Sequence, residues 1–246
     1  MSTNTPSADE HSEKRWRPLS AIQRRVVGVL VEKAKTTPDT YPLTLNALTN
    51  GCNQKSNRAP HMDLSPEDVE RALDELREIG AVAEVQSGGR VAKFRHYMYE
   101  WLGVDKVELA VMAELLLRGE QTVGELRGRA SRMEPIADVN ALHAILESLV
   151  QKQLVVTLTP AGRGQVVTHN LYSPERLENI KAQFAAGRGA AEPATPRAPV
   201  AARGAGVSAD QFASLEAEVA QLRDEIAHLR EELAALRGPG SSQMER

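Results

Sequence analysis

The sequence predicts a mainly α fold with small β-hairpins, an α+β class, on three observations. Apolar residues recur at helical spacing in successive segments, each set of helices is followed by two short alternating stretches broken at a glycine-containing turn, and the whole pattern returns 73 residues later.

The first helix is read from "SAIQRRVVGVLVEKAK", Ser20 to Lys35, where Ile22, Val26, Val29, Leu30 and Lys33 fall at helical spacing and Ser20 is placed to cap. After a proline-containing connection, "TLNALTNGC" supports a short second helix. The third begins at "SPEDVERALDELREIG": Ser65 caps, Pro66 takes the first helical position, and Asp68 completes a capping-box-like pattern. Val69, Ala72, Leu73, Leu76 and Ile79 form its apolar stripe, and Gly80 is the expected C-cap. "AVAEVQSGGRVAKFRHYMY" then reads as two strands turned at Ser87, Gly88 and Gly89. Three helices and a hairpin are the order of a winged helix-turn-helix.

A shift of 73 residues superimposes Leu73 on Leu146, Leu76 on Leu149, Val82 on Val155, Gly89 on Gly162, His96 on His169 and Tyr99 on Tyr172. Two tandem winged helix-turn-helix domains follow, at residues 18–100 and 101–184, the second closing with the short helix "SPERLENIKAQF". The second copy has only "EPIA" where the first has its long polar stretch, so that stretch belongs to a first-copy elaboration.

Residues 1–17 read as a disordered polar tail and 185–206, rich in Ala, Pro and Gly, as a flexible linker. Such a linker of about 22 residues has a root-mean-square span of roughly 25 Å. Residues 207–237 read as a coiled-coil helix and 238–246 as a second disordered tail. Phe212, Val219, Ile226 and Leu233 occupy heptad position a, and Leu215, Leu222, Leu229 and Leu236 position d. Glu218, Glu225 and Glu232 at g each face Arg223, Arg230 or Arg237 at e of a parallel partner. An antiparallel pair would oppose like charges. A parallel homodimer is expected; the alternative is a single amphipathic helix lying on the globular part.

Composition excludes several classes. No run of about 18 apolar residues is present to span a membrane, and nothing near the start reads as a signal peptide. One cysteine, Cys52, leaves no intramolecular disulfide and no cysteine zinc site, and fits a reducing cytoplasm. The net charge of -3 resides mostly in the coiled-coil segment, with 3 basic and 7 acidic residues between Val207 and Arg237 against 11 of each between Pro18 and Glu100. The six histidines show no ligand spacing, and no glycine-rich phosphate loop follows a strand, so no catalytic residue, metal or cofactor is expected. His96 and His169 hold equivalent wing positions and are expected to satisfy local hydrogen bonds.

The candidate contact surface is the run Asn53, Gln54, Lys55, Ser56, Asn57 and Arg58, between the second and third helices, with Arg90, Lys93 and Arg95 on the first wing. These positions approach DNA in helix-turn-helix proteins, and their side chains suit phosphates and base edges. The third helix opposes this, because Glu67, Asp68, Glu70, Asp74, Glu75 and Glu78 outnumber Arg71 and Arg77. Three readings of the run stand: contact with duplex DNA, a structural loop whose side chains satisfy backbone groups, and a protein-partner surface. DNA-associated regulation is the leading expectation for the whole chain, and a protein-interaction scaffold the alternative.

"CNQKSNR" at Cys52 to Arg58, "LLLRGEQTVGELRGRASRM" at Leu115 to Met133, and the surrounding pattern from Leu19 to Tyr172 resemble the uncharacterised YceH-like bacterial proteins. The resemblance implies two tandem winged-helix domains in a cytoplasmic bacterial protein, and it assigns no activity, ligand or functional residue. The linker and heptad tail lie outside it, so pairing rests on heptad physics alone.

Overall fold

The computed structural model describes residues 16–85 and 91–187. The expected coiled coil with its eight seam residues, the linker from residue 188 on, the hairpin turn at Ser87 to Gly89 and Arg90 lie outside the described residues; Ala185, expected to open the linker, ends the last described helix.

The chain forms α1 (Ala21–Thr36), β1 (Leu43–Thr44), α2 (Leu45–Cys52), α3 (Pro66–Glu78), β2 (Val82–Val85), β3 (Lys93–His96) and α4 (Met98–Leu102). It continues through α5 (Lys106–Arg118), β4 (Gln121–Thr122), α6 (Val123–Ala130), α7 (Val139–Gln151), β5 (Val155–Thr157), β6 (Val166–His169) and α8 (Pro174–Ala185). It is an α+β structure with two small antiparallel sheets, ordered β1-β3-β2 and β4-β6-β5.

Local chemistry sets the helix starts. Ser20 and Gln23 form a capping box on α1, Ser65 and Asp68 one on α3 behind Pro66, and Asp105 and Glu108 one on α5. The 73-residue repeat is preserved in the hydrogen-bonded register: Val82 faces His96 on β2 and β3, and Val155 faces His169 on β5 and β6. Between second and third helices the first copy has thirteen residues, 53–65, and the second eight, 131–138.

Two local expectations are corrected. Thr44, expected to open α2, instead ends a two-residue strand, Leu43–Thr44, paired with Phe94 and Lys93, and then caps α2 through Ala47 N. The strand expected to run through Tyr99 stops at His96. Met98, Trp101 and Leu102 bury on one side of α4, which Gly103 ends in the left-handed conformation at φ 66°.

Residues from Arg25 to Glu32 of α1 are all buried, as are those from Glu108 to Leu117 of α5. Each helix is enclosed by its own copy on one side and by the other helix on the remaining side, so the two copies share one core. Gly28 makes the crossing close: a Cβ there would lie 2.9 Å from Leu117 Cδ2. Trp16, expected in the tail, packs against this core. No helix among the described residues is long and apolar enough to cross a membrane.

Candidate functional site

Asn53 follows the last turn of α2. Its side-chain amide donates to Leu64 O at 2.8 Å and its carbonyl oxygen accepts from Leu64 N at 2.9 Å, which clamps the two ends of the loop together. Asn57 sits in the left-handed region at φ 60°, and its side-chain oxygen accepts from Arg118 of α5. Asparagine tolerates that conformation better than most residues.

Arg58 turns inward, with its side chain 0% exposed. Nε donates to Gly51 O at 3.0 Å, Nη1 to Asn57 O at 2.8 Å and to Glu32 Oε1 at 3.3 Å, and Nη2 to Gln54 Oε1 at 3.0 Å and to Glu32 Oε2. Five N–H donors meet five acceptors, the full capacity of a guanidinium. Arg25, also buried, donates to Cys52 O at 2.9 Å and to Pro60 O at 2.6 Å. Arg58 and Arg25 thus satisfy the carbonyls of Gly51 and Cys52 in the last turn of α2, where the helix dipole favours cations.

The structure takes Arg58 off the expected DNA-contact surface, because its five donors are committed to the protein, and leaves Asn53 half-buried with its side chain holding Leu64. Gln54 is exposed but accepts from Arg58. Lys55 and Ser56 point outward. On β3, Lys93 is half-buried and Arg95 exposed, its guanidinium 5.2 Å from the Tyr97 ring centre. Lys55, Lys93 and Arg95 make no ion pair among the described residues. The expectation for Arg90 and for the dimer seam falls outside those residues.

Behind the loop lies a charged layer that the sequence reading missed. Glu114 of α5, with its side chain 0% exposed, pairs with Arg118 at 3.0 Å and Arg132 at 3.4 Å, and Arg132 reaches Glu32 of α1 at 3.9 Å. Burial pushes the Glu114 carboxyl above its usual range against the pull of Arg118, Arg132 and Arg129. Burial also pushes Arg118 down, opposed by Glu114. The basic α6 residues of the second copy are likewise engaged: Arg127 donates to Ile136 O and Ala137 O, and Arg129 to Gln121 at 2.8 Å. The sequence did carry a signal. Arg25 and Glu32 fall three residues after apolar positions Ile22 and Val29, and Glu114 sits within the apolar run of α5.

The paired histidines hold strand-end turns. His96 Nδ1 accepts from Met98 N at 3.3 Å and His169 Nδ1 from Leu171 N at 3.1 Å. Each ring packs on the tyrosine three residues on, at 5.8 Å for His96 with Tyr99 and 4.0 Å for His169 with Tyr172. Burial lowers His96 to about 4, helped by Arg95 and Lys35, and drives His169 well below its ordinary value, helped by Arg24. Cys52 is fully buried, and burial pushes its thiol up to about 12. No group of three or more metal-ligating side chains is found among the described residues.

A family model described as "Protein of unknown function, DUF480" matches residues 19–164. The chain belongs to this family. The UPF0502 protein RB6530 of Rhodopirellula baltica is 55% identical to it over 186 residues, 74% of this chain and 78% of the relative. UPF0502 proteins of Geotalea daltonii and Citrifermentans bemidjiense are 48% and 43% identical, covering 75% and 82% of this chain and 80% and 88% of theirs. The DUF480 match begins at Leu19, beside the α1 cap, and includes the whole 53–65 loop and the charged layer behind it.

Proposed function

We propose that this chain is a non-catalytic tandem winged-helix adaptor that docks a protein partner carrying a basic surface. The order helix, strand, helix, helix, hairpin, repeated twice with one register, supports the winged-helix reading. The charge of α3 carries the choice of partner. This helix occupies the place of a DNA-reading helix, yet its exposed side bears Glu67, Glu70, Asp74, Glu75 and Glu78. Duplex DNA presents a phosphate charge about every 1.7 Å, so such a helix is repelled from a major groove. The one arginine of the 53–65 loop, Arg58, is held inside the protein. In the second copy, Val139 and Val150 of α7 are 44% and 42% exposed, an apolar surface suited to a protein partner. The heptad segment at 207–237 is proposed to pair two such chains in parallel, and the reducing cytoplasm is proposed as the setting.

Duplex DNA is the second reading, supported by Lys55, Lys93 and Arg95, whose charges no carboxylate among the described residues neutralises. Fluorescence anisotropy of the full-length protein with a mixed-sequence duplex separates the two. The adaptor reading expects no binding at micromolar protein and low salt, and salt-sensitive binding once Glu70 and Asp74 are both changed to Lys. Tight, salt-sensitive binding by the unchanged protein, weakened by Lys93→Ala with Arg95→Ala, would replace it with the DNA reading. Removing residues 207–246 is expected to reduce the sedimenting mass to that of a monomer, and a truncated chain that stayed dimeric would place the dimer contact in the globular region.

A further inference from the structure

A cleft of about 800 Å³ opens between the start of α1, the loop around Pro60, the end of α5 and the segment leading into α8. Four guanidiniums line it, from Arg24, Arg25, Arg118 and Arg176, against a single carboxylate, Glu120. That carboxylate is engaged with the Tyr172 hydroxyl, which donates to it at 3.2 Å. The wall therefore carries an excess of positive charge in a concave, partly apolar surround, where each charge acts more strongly than in open water.

The arginines are placed in different ways. Arg24 lies over the Tyr172 ring, its carbon centre 4.5 Å from the ring centre, and donates to Leu19 O. Arg176, on the exposed first turn of α8, faces it with the same charge. Arg25 is 1% exposed and, among the described residues, has no carboxylate partner and no hydrogen-bond acceptor for its buried Nε–H. A buried donor of this kind is costly, and an acceptor arriving in the cleft would relieve that cost. The cap residues of two long helices, Ser20 of α1 and Ser173 of α8, also line the cleft, so both positive dipole ends are directed towards it. Of the four, Arg118 alone has a carboxylate partner among the described residues, Glu114.

We infer that this cleft is a binding site for a small phosphate-bearing ligand, gripped by Arg24 and Arg176, with Leu19, Pro60, Met62 and Leu116 receiving its apolar body. Guanidiniums match phosphate oxygens in a bidentate fork, which an ammonium does not. The volume lies within the range of small-molecule and cofactor pockets, about 300–1,000 Å³, and exceeds what inorganic phosphate alone would fill. This inference is independent of whether the chain's macromolecular partner is protein or DNA.

The test is isothermal titration calorimetry of the full-length protein with inorganic pyrophosphate and with adenosine monophosphate. Saturable binding of at least one probe is expected, weakened at least tenfold by Arg176→Gln and by Arg24→Gln. Arg176 is exposed, so its replacement leaves the fold intact and keeps the test meaningful if Arg24→Gln unfolds the chain. Lys181→Gln, further along α8 and outside the cleft, is expected to leave affinity unchanged. No heat from either probe at millimolar concentration overturns the inference. So does binding that is indifferent to Arg176→Gln, or a duplex that competes with pyrophosphate for the same arginines.

Discussion

Arg58→Ala separates a structural loop from a contact surface most sharply. The wild-type side chain is 0% exposed, and its partner Glu32 is only 7% exposed. Truncation strands that carboxylate with Arg132 at 3.9 Å as its remaining cation, and leaves the buried carbonyl of Gly51 without its donor. Removing one member of a buried ion pair costs about 3–5 kcal/mol, because the abandoned charge remains in a low-dielectric setting. That is a large share of the roughly 5–15 kcal/mol by which a typical fold is stable. With a urea slope near 2 kcal/mol per M, the unfolding midpoint is expected to fall by about 2 M. Lys55→Ala, three residues earlier and outside the network, is expected to stay within about 0.5 kcal/mol of wild type. Replacing Glu32 with Leu alongside Arg58→Met removes both charges and is expected to restore part of the loss. An Arg58→Ala protein that unfolded at the wild-type midpoint would refute the reasoning and return Arg58 to the surface.

Three further outcomes follow from the packing. Gly51→Ala adds a Cβ that would lie 2.7 Å from Val29 Cγ1, on a side chain stiff at χ1; a loss of about 1–3 kcal/mol by urea unfolding is expected despite the better helix propensity of alanine. Cys52 is expected to resist an aromatic disulfide reagent in the native protein and to react within minutes in denaturant, since burial raises its thiol pKa to about 12 and hides the sulfur. His96 is held neutral in the fold at a pKa of about 4 against 6.5 unfolded, so the unfolded state takes up the proton first as pH falls. The stability from keeping it neutral is present in full above pH 6.5 and declines by about 1.4 kcal/mol per pH unit towards pH 4, with His169 adding a similar slope. His96→Asn, whose side-chain oxygen can accept from Met98 N in place of Nδ1, is expected to flatten roughly half of that decline between about pH 6.5 and pH 5. An unchanged profile would remove His96 as its cause.

The repeat was legible because burial leaves a periodic mark. Val82 and Val155 recur at a fixed interval from His96 and His169, and the structure pairs each valine with its histidine across a hairpin. β1 and β4 were not legible, since two residues are too few to show a strand period. Arg58 was misplaced for a different reason. Six polar residues in succession look like surface when each is judged by its own solvation, whereas the partner that draws Arg58 inward, Glu32, lies 26 residues away in α1. Long-range pairing of this kind leaves no local pattern. Its trace was on α1 and α5, where Glu32 and Glu114 interrupt faces that are otherwise apolar.

The same geometry explains why the first copy's loop is longer. Its residues reach across to α5, where Ala59 N donates to Leu117 O at 2.9 Å and Asn57 accepts from Arg118. The Leu117 carbonyl belongs to the last turn of α5 and has no partner within that helix, so the first copy's loop completes the second copy's helix end. Arg58 joins the loop to α1 through Glu32, and Arg132, just beyond α6, joins Glu32 to Glu114. Apolar packing between α1 and α5 is non-directional and would tolerate sliding by a fraction of a turn. Hydrogen-bonded charges do not, because displacement leaves them buried and unmatched. "CNQKSNR" is thus read as the segment that fixes how two repeated units sit against each other, with Lys55 and Ser56 as its outward-facing residues.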